Sequence, residues 1–348
     1  MFTDEQIELR DTLSKLFQNE VTEDYLKERI EQDISSDEKL RTKIASLGIF
    51  AGFATEDLDG FGLGTVELSL IAFEAGKVLL PENLIFNLLA GPYLCSRLFE
   101  KSLKKSATDS IVSGDDLVSI ALFPSGPVKI NNGKVSGEFR FVYGADTSRY
   151  FLCIGSQDKQ NALILVDAKD KRIKIDSEDV LDPTLKAWKV VLSDTPIVAS
   201  GKDETFFYKV MLLKASEAAG VLQRVSSLTA EYVKERKQFG VPVGTFQAVK
   251  HKVTDIYLKA QALSALTRYA AWAAESNPSQ LPLAALSAIL FAVEKAPEAI
   301  EDAIQAHGGI GFTWEYVLHW YLRRARSISA LFGSGLKLSK EILRHSLS

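Results

Sequence analysis

Apolar residues recur at three- and four-residue intervals from position 3 to about position 103, as in "TVELSLIAFEAGKVLL" and "ENLIFNLLAGPYLCSRLF". That spacing places them along one side of a helix. At the start, "MFTDEQIELRDTLSKLF" sets Thr3 and Gln6 ahead of Leu9, Leu13, Leu16 and Phe17, a capping-box pattern that opens a helix. The glycine-rich "DLDGFGLG" follows no strand, so it is expected to be a turn leading into a helix rather than a dinucleotide loop. From about Asp116 the period shortens. "DLVSIALF", "KVSGEFRFVY", "RYFLCIG", "NALILVDA" and "WKVVLS" are short, rich in β-branched and aromatic residues, and separated by turns such as "NNGK". Strands so close together without helices between them predict a small antiparallel barrel or sandwich. Near Lys202 the helical period returns in four long segments, roughly 204–237, 245–274, 283–306 and 313–347. Their short connections predict an antiparallel four-helix bundle, with Pro297 kinking or restarting the third segment. The chain therefore reads as a multidomain α+β protein. The expected domains are an amino-terminal helical domain over 1–115, a middle β domain over 116–201 and a carboxy-terminal helical bundle over 202–348.

Composition sharpens this in a few places. At 348 residues, 46% of them hydrophobic, the chain is long enough for several cores. A net charge of -4 gives no basic field for nucleic acid. Cys95 and Cys153 stand far apart, which fits buried thiols in a reducing compartment and no metal site. The acidic start lacks the basic and apolar regions of a signal peptide, and no window is apolar for long enough to span a bilayer. A cytoplasmic protein without membrane insertion is the expectation.

Candidate chemistry lies in two stretches of the carboxy-terminal region. In "QAHGGIGFTWE", residues 305–315, a helix pattern runs into a histidine and three glycines. On its own this is a helix C-cap, with Gly308 and Gly309 in the turn and His307 a satisfied helix-end histidine. In "ERKQFGVPVGTFQAVKH", residues 235–251, Arg236 on its own is an ion-paired helix residue. Together, and with the order helices, strands, helices, the two stretches resemble the acyl-CoA dehydrogenase family. The second matches R-x-x-F-G-x-x-[IL]-x-x-x-Q-A-[VI] almost throughout, and the first matches Q-x-H/L-G-G-x-G. "LGIFAGFATEDLDGFGLGTVELSLIAFEAGKVLLP" is similar to that family's first helix, loop and helix.

The resemblance implies a flavoprotein that binds FAD and desaturates an acyl-CoA thioester. A carboxylate takes the α-proton and the flavin accepts the β-hydride. It implies cofactor contacts from Arg236 (pyrophosphate), Phe239 (an aromatic face), Gln247 and Gln305 (nucleotide hydrogen bonds), and Gly308 and Gly309 (close backbone passage near the adenine). Gly240 and Gly244 would let the backbone turn close to the cofactor, and Gly311 would end the helix before a new one at Thr313. In this family the arginine motif reaches the FAD of a neighbouring subunit, and an electron-transfer flavoprotein is the usual acceptor. An oligomer is therefore implied.

The chain also departs from the family pattern. The family's Y-E-G-T glutamate falls at Leu331 and Phe332, followed by Gly333 and Ser334, and a phenyl ring cannot accept a proton. Where members carry the base on the first bundle helix, the equivalent position is near Val210. Glu217 lies two turns further on and is expected to make a structural or cofactor-side contact. The T-E-P-x-x-G-S-D loop is replaced by "ALFPSGP", residues 121–127, and the strand along the flavin is "FVY", residues 141–143. The run "RRAR", residues 323–326, could meet CoA phosphates but is expected to form an ion-paired helix face. General-base assistance is worth on the order of 10²–10⁴ in rate, so no catalytic residue is assigned. The reading is a subunit of a heteromeric acyl-CoA dehydrogenase, similar to the branch of bacterial steroid side-chain degradation. Its partner would be a related subunit that supplies the base. A structural paralogue and a flavin-dependent monooxygenase of the same fold are the alternatives.

Overall fold

The computed structural model describes residues 2–81, 83–99, 101–157, 160–313, 316–333 and 335–347, so Trp314, Glu315 and Ser334 of the quoted motifs lie outside the described residues. The first helix, α1 (Asp4–Glu20), starts as the pattern predicts: the Gln6 amide donates to Thr3 Oγ1 at 3.3 Å while Gln6 Oε1 accepts from the Thr3 amide at 3.1 Å. Leu13 and Phe17 are buried. After α2 (Glu23–Glu31), α3 (Glu38–Ser46) and α4 (Ile49–Gly52), the glycine-rich turn feeds α5 (Thr65–Lys77). Glu67 accepts from the Gly64 amide at 2.8 Å, and Glu275, arriving from the bundle, accepts from the Val66 amide at 2.8 Å. These carboxylates satisfy N–H groups that a helix start leaves open. The region closes with α6 (Leu84–Leu88), two π-helical turns (Leu89–Tyr93 and Cys95–Phe99) and α7 (Lys105–Ser113).

The middle region holds β1 (Val118–Ala121), β2 (Phe123–Pro124), β3 (Lys129–Asn131), β4 (Lys134–Tyr143), β5 (Tyr150–Gln157), β6 (Gln160–Asp167), β7 (Ile173–Glu178) and β8 (Ala187–Gly201). They form one sheet of order β1-β5-β6-β8-β4-β2, with β3 on β4 and β7 on β8. The sheet is mixed, which corrects the expectation of an antiparallel one. β1 pairs with β5 in parallel, Val118 opposite Tyr150, because the β2–β4 excursion between them is long enough for a crossover. The first half of the 15-residue β8 pairs with β4 and β7 and its second half with β6, so the sheet folds around Phe139, Phe151, Ile164 and Val190. The "NNGK" turn is a two-residue hairpin with Asn132 and Gly133 both at positive φ, the conformation such hairpins favour.

The carboxy-terminal region contains α8 (Phe206–Glu235), the hairpin strands β9 (Lys237–Gln238) and β10 (Val241–Pro242), α9 (Gln247–Ser276), α10 (Leu281–His307), α11 (Leu318–Phe332) and α12 (Gly335–Leu347). Two expectations are corrected. The helix pattern resumes at Leu318 rather than Thr313, and the last segment breaks at Gly333, whose φ of 82° turns the chain. Pro297 does not restart α10. The hydrogen bond it cannot donate would have gone to the Val293 carbonyl, and Ser329 Oγ of α11 donates there instead, at 3.0 Å. α5 and α8 cross almost backbone to backbone: a Cβ at Gly76 would sit 2.0 Å from the Glu217 carbonyl oxygen, and one at Gly220 would sit 1.9 Å from that of Phe73. One apolar core runs from the amino-terminal helices through this crossing into the bundle. Among the described residues, no helix is long and apolar enough to cross a membrane.

Candidate functional site

Two separate places carry the residues singled out in the sequence. The first lies where α8 ends. Arg236 is its C-cap, exposed, and without an ion pair among the described residues. The chain then folds through a tight hairpin whose two turn residues are Phe239 (φ 51°) and Gly240 (φ 81°). Such a turn needs left-handed backbone at both positions. Glycine tolerates this, whereas phenylalanine pays strain on the order of 1–3 kcal/mol. Phe239 is nonetheless 93% exposed and stands edge-on to Phe246, ring centroids 6.2 Å apart. Gly244 lets the return strand close on α8, since a Cβ there would lie 2.9 Å from the Val233 carbonyl. Gln247 opens α9 and is exposed.

The glycine stretch sits beside this hairpin. Gln305 is exposed on the last turn of α10, and its carbonyl accepts from the Gly308 amide. Gly308 is the C-cap at φ 64° and ψ −140°, a conformation only glycine adopts readily. Among the described residues, a Cβ at Gly309 would meet nothing within 4 Å, so their packing gives no reason for a glycine there. Gly311 has one, because a Cβ would lie 2.4 Å from the Ile304 carbonyl. His307 is buried between Tyr232 of α8, stacked on it at 4.2 Å and 23°, and Tyr316, 5.2 Å away. Its Nδ1 is 2.7 Å from the Ala303 carbonyl and donates to it, while its Nε2 is buried with no hydrogen-bond partner among the described residues. The expectation of a satisfied histidine is therefore half right. Burial pushes its pKa below the ordinary 6.5 and keeps the ring neutral.

The second place is where the family's base would stand. Phe332 is buried, 6.2 Å from Phe123 edge-to-face and 6.4 Å from Phe207. Phe123 comes from the "ALFPSGP" stretch and Phe207 lies one turn before the fully buried Val210 on α8. Of the two alternative base positions, Phe332 belongs to this aromatic cluster and Val210 is fully buried. A cavity of about 390 Å³ adjoins it, lined by Leu122, Met211, Leu331 and Leu338 among others. The one carboxylate lining it among the described residues, Glu341 of α12, is held by Arg344 at 2.6 Å.

Further inside lies a buried ion network. Arg324, 1% exposed, pairs with Asp182 of the middle region and with Glu217 of α8 at 2.5 Å. It also donates to Thr184 at 2.7 Å and to the carbonyls of Leu79 and Leu80. Lys214 completes the network at 2.8 Å from Glu217 and lies over the rings of Phe86 and Tyr143. Burial would raise the Glu217 carboxyl, but the Lys214 and Arg324 charges outweigh it and hold it below the ordinary 4.5. Glu217 is a structural ion, not a base. Of the "RRAR" run, Arg326 pairs with Glu301 on the surface, so the ion-paired reading holds for Arg324 and Arg326. The void left between Tyr143, Phe86, Lys214 and Arg324 is about 20 Å³, room for a water and no more.

Comparison with known proteins follows this geometry. Residues 3–109 match the family described as Acyl-CoA dehydrogenase, N-terminal domain, and residues 208–346 match Acyl-CoA dehydrogenase, C-terminal domain. The chain is 30% identical over 292 residues to Acyl-CoA dehydrogenase FadE34 of Mycobacterium tuberculosis, covering 83% of this chain and 39% of that protein. It is 27% identical over 337 residues to Acyl-CoA dehydrogenase IpdE2 of the same organism, covering 97% of this chain and 94% of that one. Its fold superimposes on a chain of the ChsE4–ChsE5 complex of M. tuberculosis with a TM-score of 0.91 at 23% identity, over 100% of this chain and 98% of that chain. With both terminal regions matched and the same three-part architecture throughout, the chain belongs to the acyl-CoA dehydrogenase family of FAD-dependent oxidoreductases.

Proposed function

We propose that this chain is the subunit of a heteromeric acyl-CoA dehydrogenase that lends half a nucleotide cradle to a related partner and performs no proton abstraction itself. The observation that carries the reading is the pairing of opposites. The nucleotide edge offers an arginine without an ion pair among the described residues and a strained, exposed phenylalanine, while Phe123, Phe207 and Phe332 cluster where the base would stand. Arg236 would grip the pyrophosphate with a permanently charged fork, Phe239 would stack on the cofactor, and Gln247 and Gln305 would hydrogen-bond the nucleotide. Gly308 and Gly309 would let the backbone approach the adenine end. These residues fit FAD offered from outside the chain, since all of them face solvent. When bound, FAD supplies the hydride acceptor for the acyl β-carbon.

Further support comes from the fold neighbour that is itself a complex of two different subunits, ChsE4 and ChsE5. In this reading the three regions act as domains over 1–115, 116–201 and 202–348. The partner holds the acyl-CoA, steroid-derived or fatty, an electron-transfer flavoprotein takes the electrons, and the assembly works in the cytoplasm. Co-expression with a related chain that retains the glutamate tests it. Flavin absorbance and thioester oxidation are expected only when both chains are present. A colourless, inactive complex would leave a purely structural paralogue.

A further inference from the structure

The two halves of the nucleotide edge belong to different helices, α8 and α10, which pack along each other in the common core. Arg236 follows α8, whereas Gly308 follows α10. One side-chain contact joins them directly. Tyr232 Oη donates to the His307 carbonyl at 3.0 Å, and the two rings stack at 4.2 Å with 23° between their planes. Each partner sits next to a residue of the edge. The Arg236 amide donates to the Tyr232 carbonyl at 2.9 Å, and the His307 carbonyl belongs to the peptide that enters Gly308. A displacement of α8 against α10 would therefore be transmitted straight to the gap between the guanidinium and the glycine turn.

From this we propose that Tyr232 and His307 are a positioning pair, whose stacked rings and hydroxyl–carbonyl bond set the separation of Arg236 from the Gly308–Gly309 turn and hence the fit of the dinucleotide. The inference rests on the cradle reading above and deepens it. A hydrogen bond to a carbonyl constrains direction, and an offset ring stack constrains the approach of the two helices. Neither residue touches the cofactor in this account; both act through their neighbours. The role of His307 lies in its ring plane and its backbone carbonyl. Of the two ring nitrogens, Nδ1 donates to the Ala303 carbonyl within α10 at 2.7 Å and Nε2 has no partner among the described residues, so the imidazole makes no hydrogen bond to α8. A phenyl ring should serve as well.

The test uses the assembly of this chain with its related subunit, stripped of flavin and titrated with FAD, in wild type, Tyr232→Phe, His307→Ala, His307→Phe and Arg236→Ala forms. Tyr232→Phe, which removes only the hydroxyl, should weaken FAD binding by about fivefold. His307→Ala should weaken it by at least that much, and His307→Phe should restore it to within about twofold of wild type. That rescue separates positioning from a hydrogen-bonding or charge role for the imidazole. If Arg236→Ala weakens binding while Tyr232→Phe and His307→Ala leave it unchanged, the positioning pair is wrong and the cradle stands. The positioning role is equally overturned if His307→Phe binds as weakly as His307→Ala. If Arg236→Ala itself has no effect, the cradle reading is wrong and the inference falls with it.

Discussion

Phe332 stands where a member of this family needs a carboxylate, and its surroundings have adapted to the ring. A glutamate placed there would put a carboxylate among the rings of Phe123 and Phe207. Phe332→Glu is therefore expected to destabilise the chain by more than about 2 kcal/mol in urea denaturation and to give no thioester oxidation in the isolated chain. Arg324 is the opposite case, a buried charge that its partners require. Replacing it by methionine strands Asp182 and leaves Glu217 with Lys214 alone; a loss on the order of 3–5 kcal/mol is expected from the same measurement. The pH dependence follows from Glu217. Its folded value lies below the ordinary 4.5, so its contribution is present above that pH and disappears as pH falls through the folded value. Glu217→Gln should be less stable than wild type at pH 7, and the gap between their urea midpoints should close below pH 4.5. A gap that persists undiminished in acid would mean the carboxylate is not what the network uses.

Helices and strands show how much the sequence could disclose. Long periodic segments such as α8, α9 and α10 were legible because each buries a continuous apolar stripe. β7 was not legible. It lies on β8 with a mostly exposed "IKIDSE", and a strand that buries so little carries no alternating signal. The β1–β5 pairing was hidden because strand direction is set by connection, not composition. Pro297 misled because the repair came from Ser329, 32 residues away in sequence. The motifs point to residues for the proposed nucleotide edge, but the positive φ of Phe239 and the Tyr232–His307 stack exist only in three dimensions. Two glycines separate packing from binding. Gly220→Ala drives a methyl into the Phe73 carbonyl and should cost about 1–3 kcal/mol or more. Gly309→Ala meets open space; its unfolding midpoint should match wild type to within about 0.5 kcal/mol, yet the assembly carrying it should retain less flavin. Equal stability with undiminished flavin would remove Gly309 from the cradle.

For the molecule as a whole, the proposed division of labour sets an exposed edge against a buried ion network. The network of Arg324, Glu217, Asp182 and Lys214 ties all three regions together at the point where they meet. It leaves a water-sized void between Tyr143 of β4 and Lys214, one turn beyond Val210. The larger space, the cavity of about 390 Å³ beside Phe123, Phe207 and Phe332, is lined mostly by apolar side chains. The chain's exposed surface includes Phe239, Phe246, Tyr257, Leu258, Tyr269 and Trp272 along the hairpin and α9, apolar area of the kind that a partner subunit covers. The most direct measurement is the flavin spectrum and thioester-oxidising activity of this chain purified alone, set beside the same chain purified with a related subunit. The account predicts a colourless, inactive preparation alone and a yellow, active one together. A yellow single chain that oxidises a thioester at an ordinary enzymatic rate would contradict it.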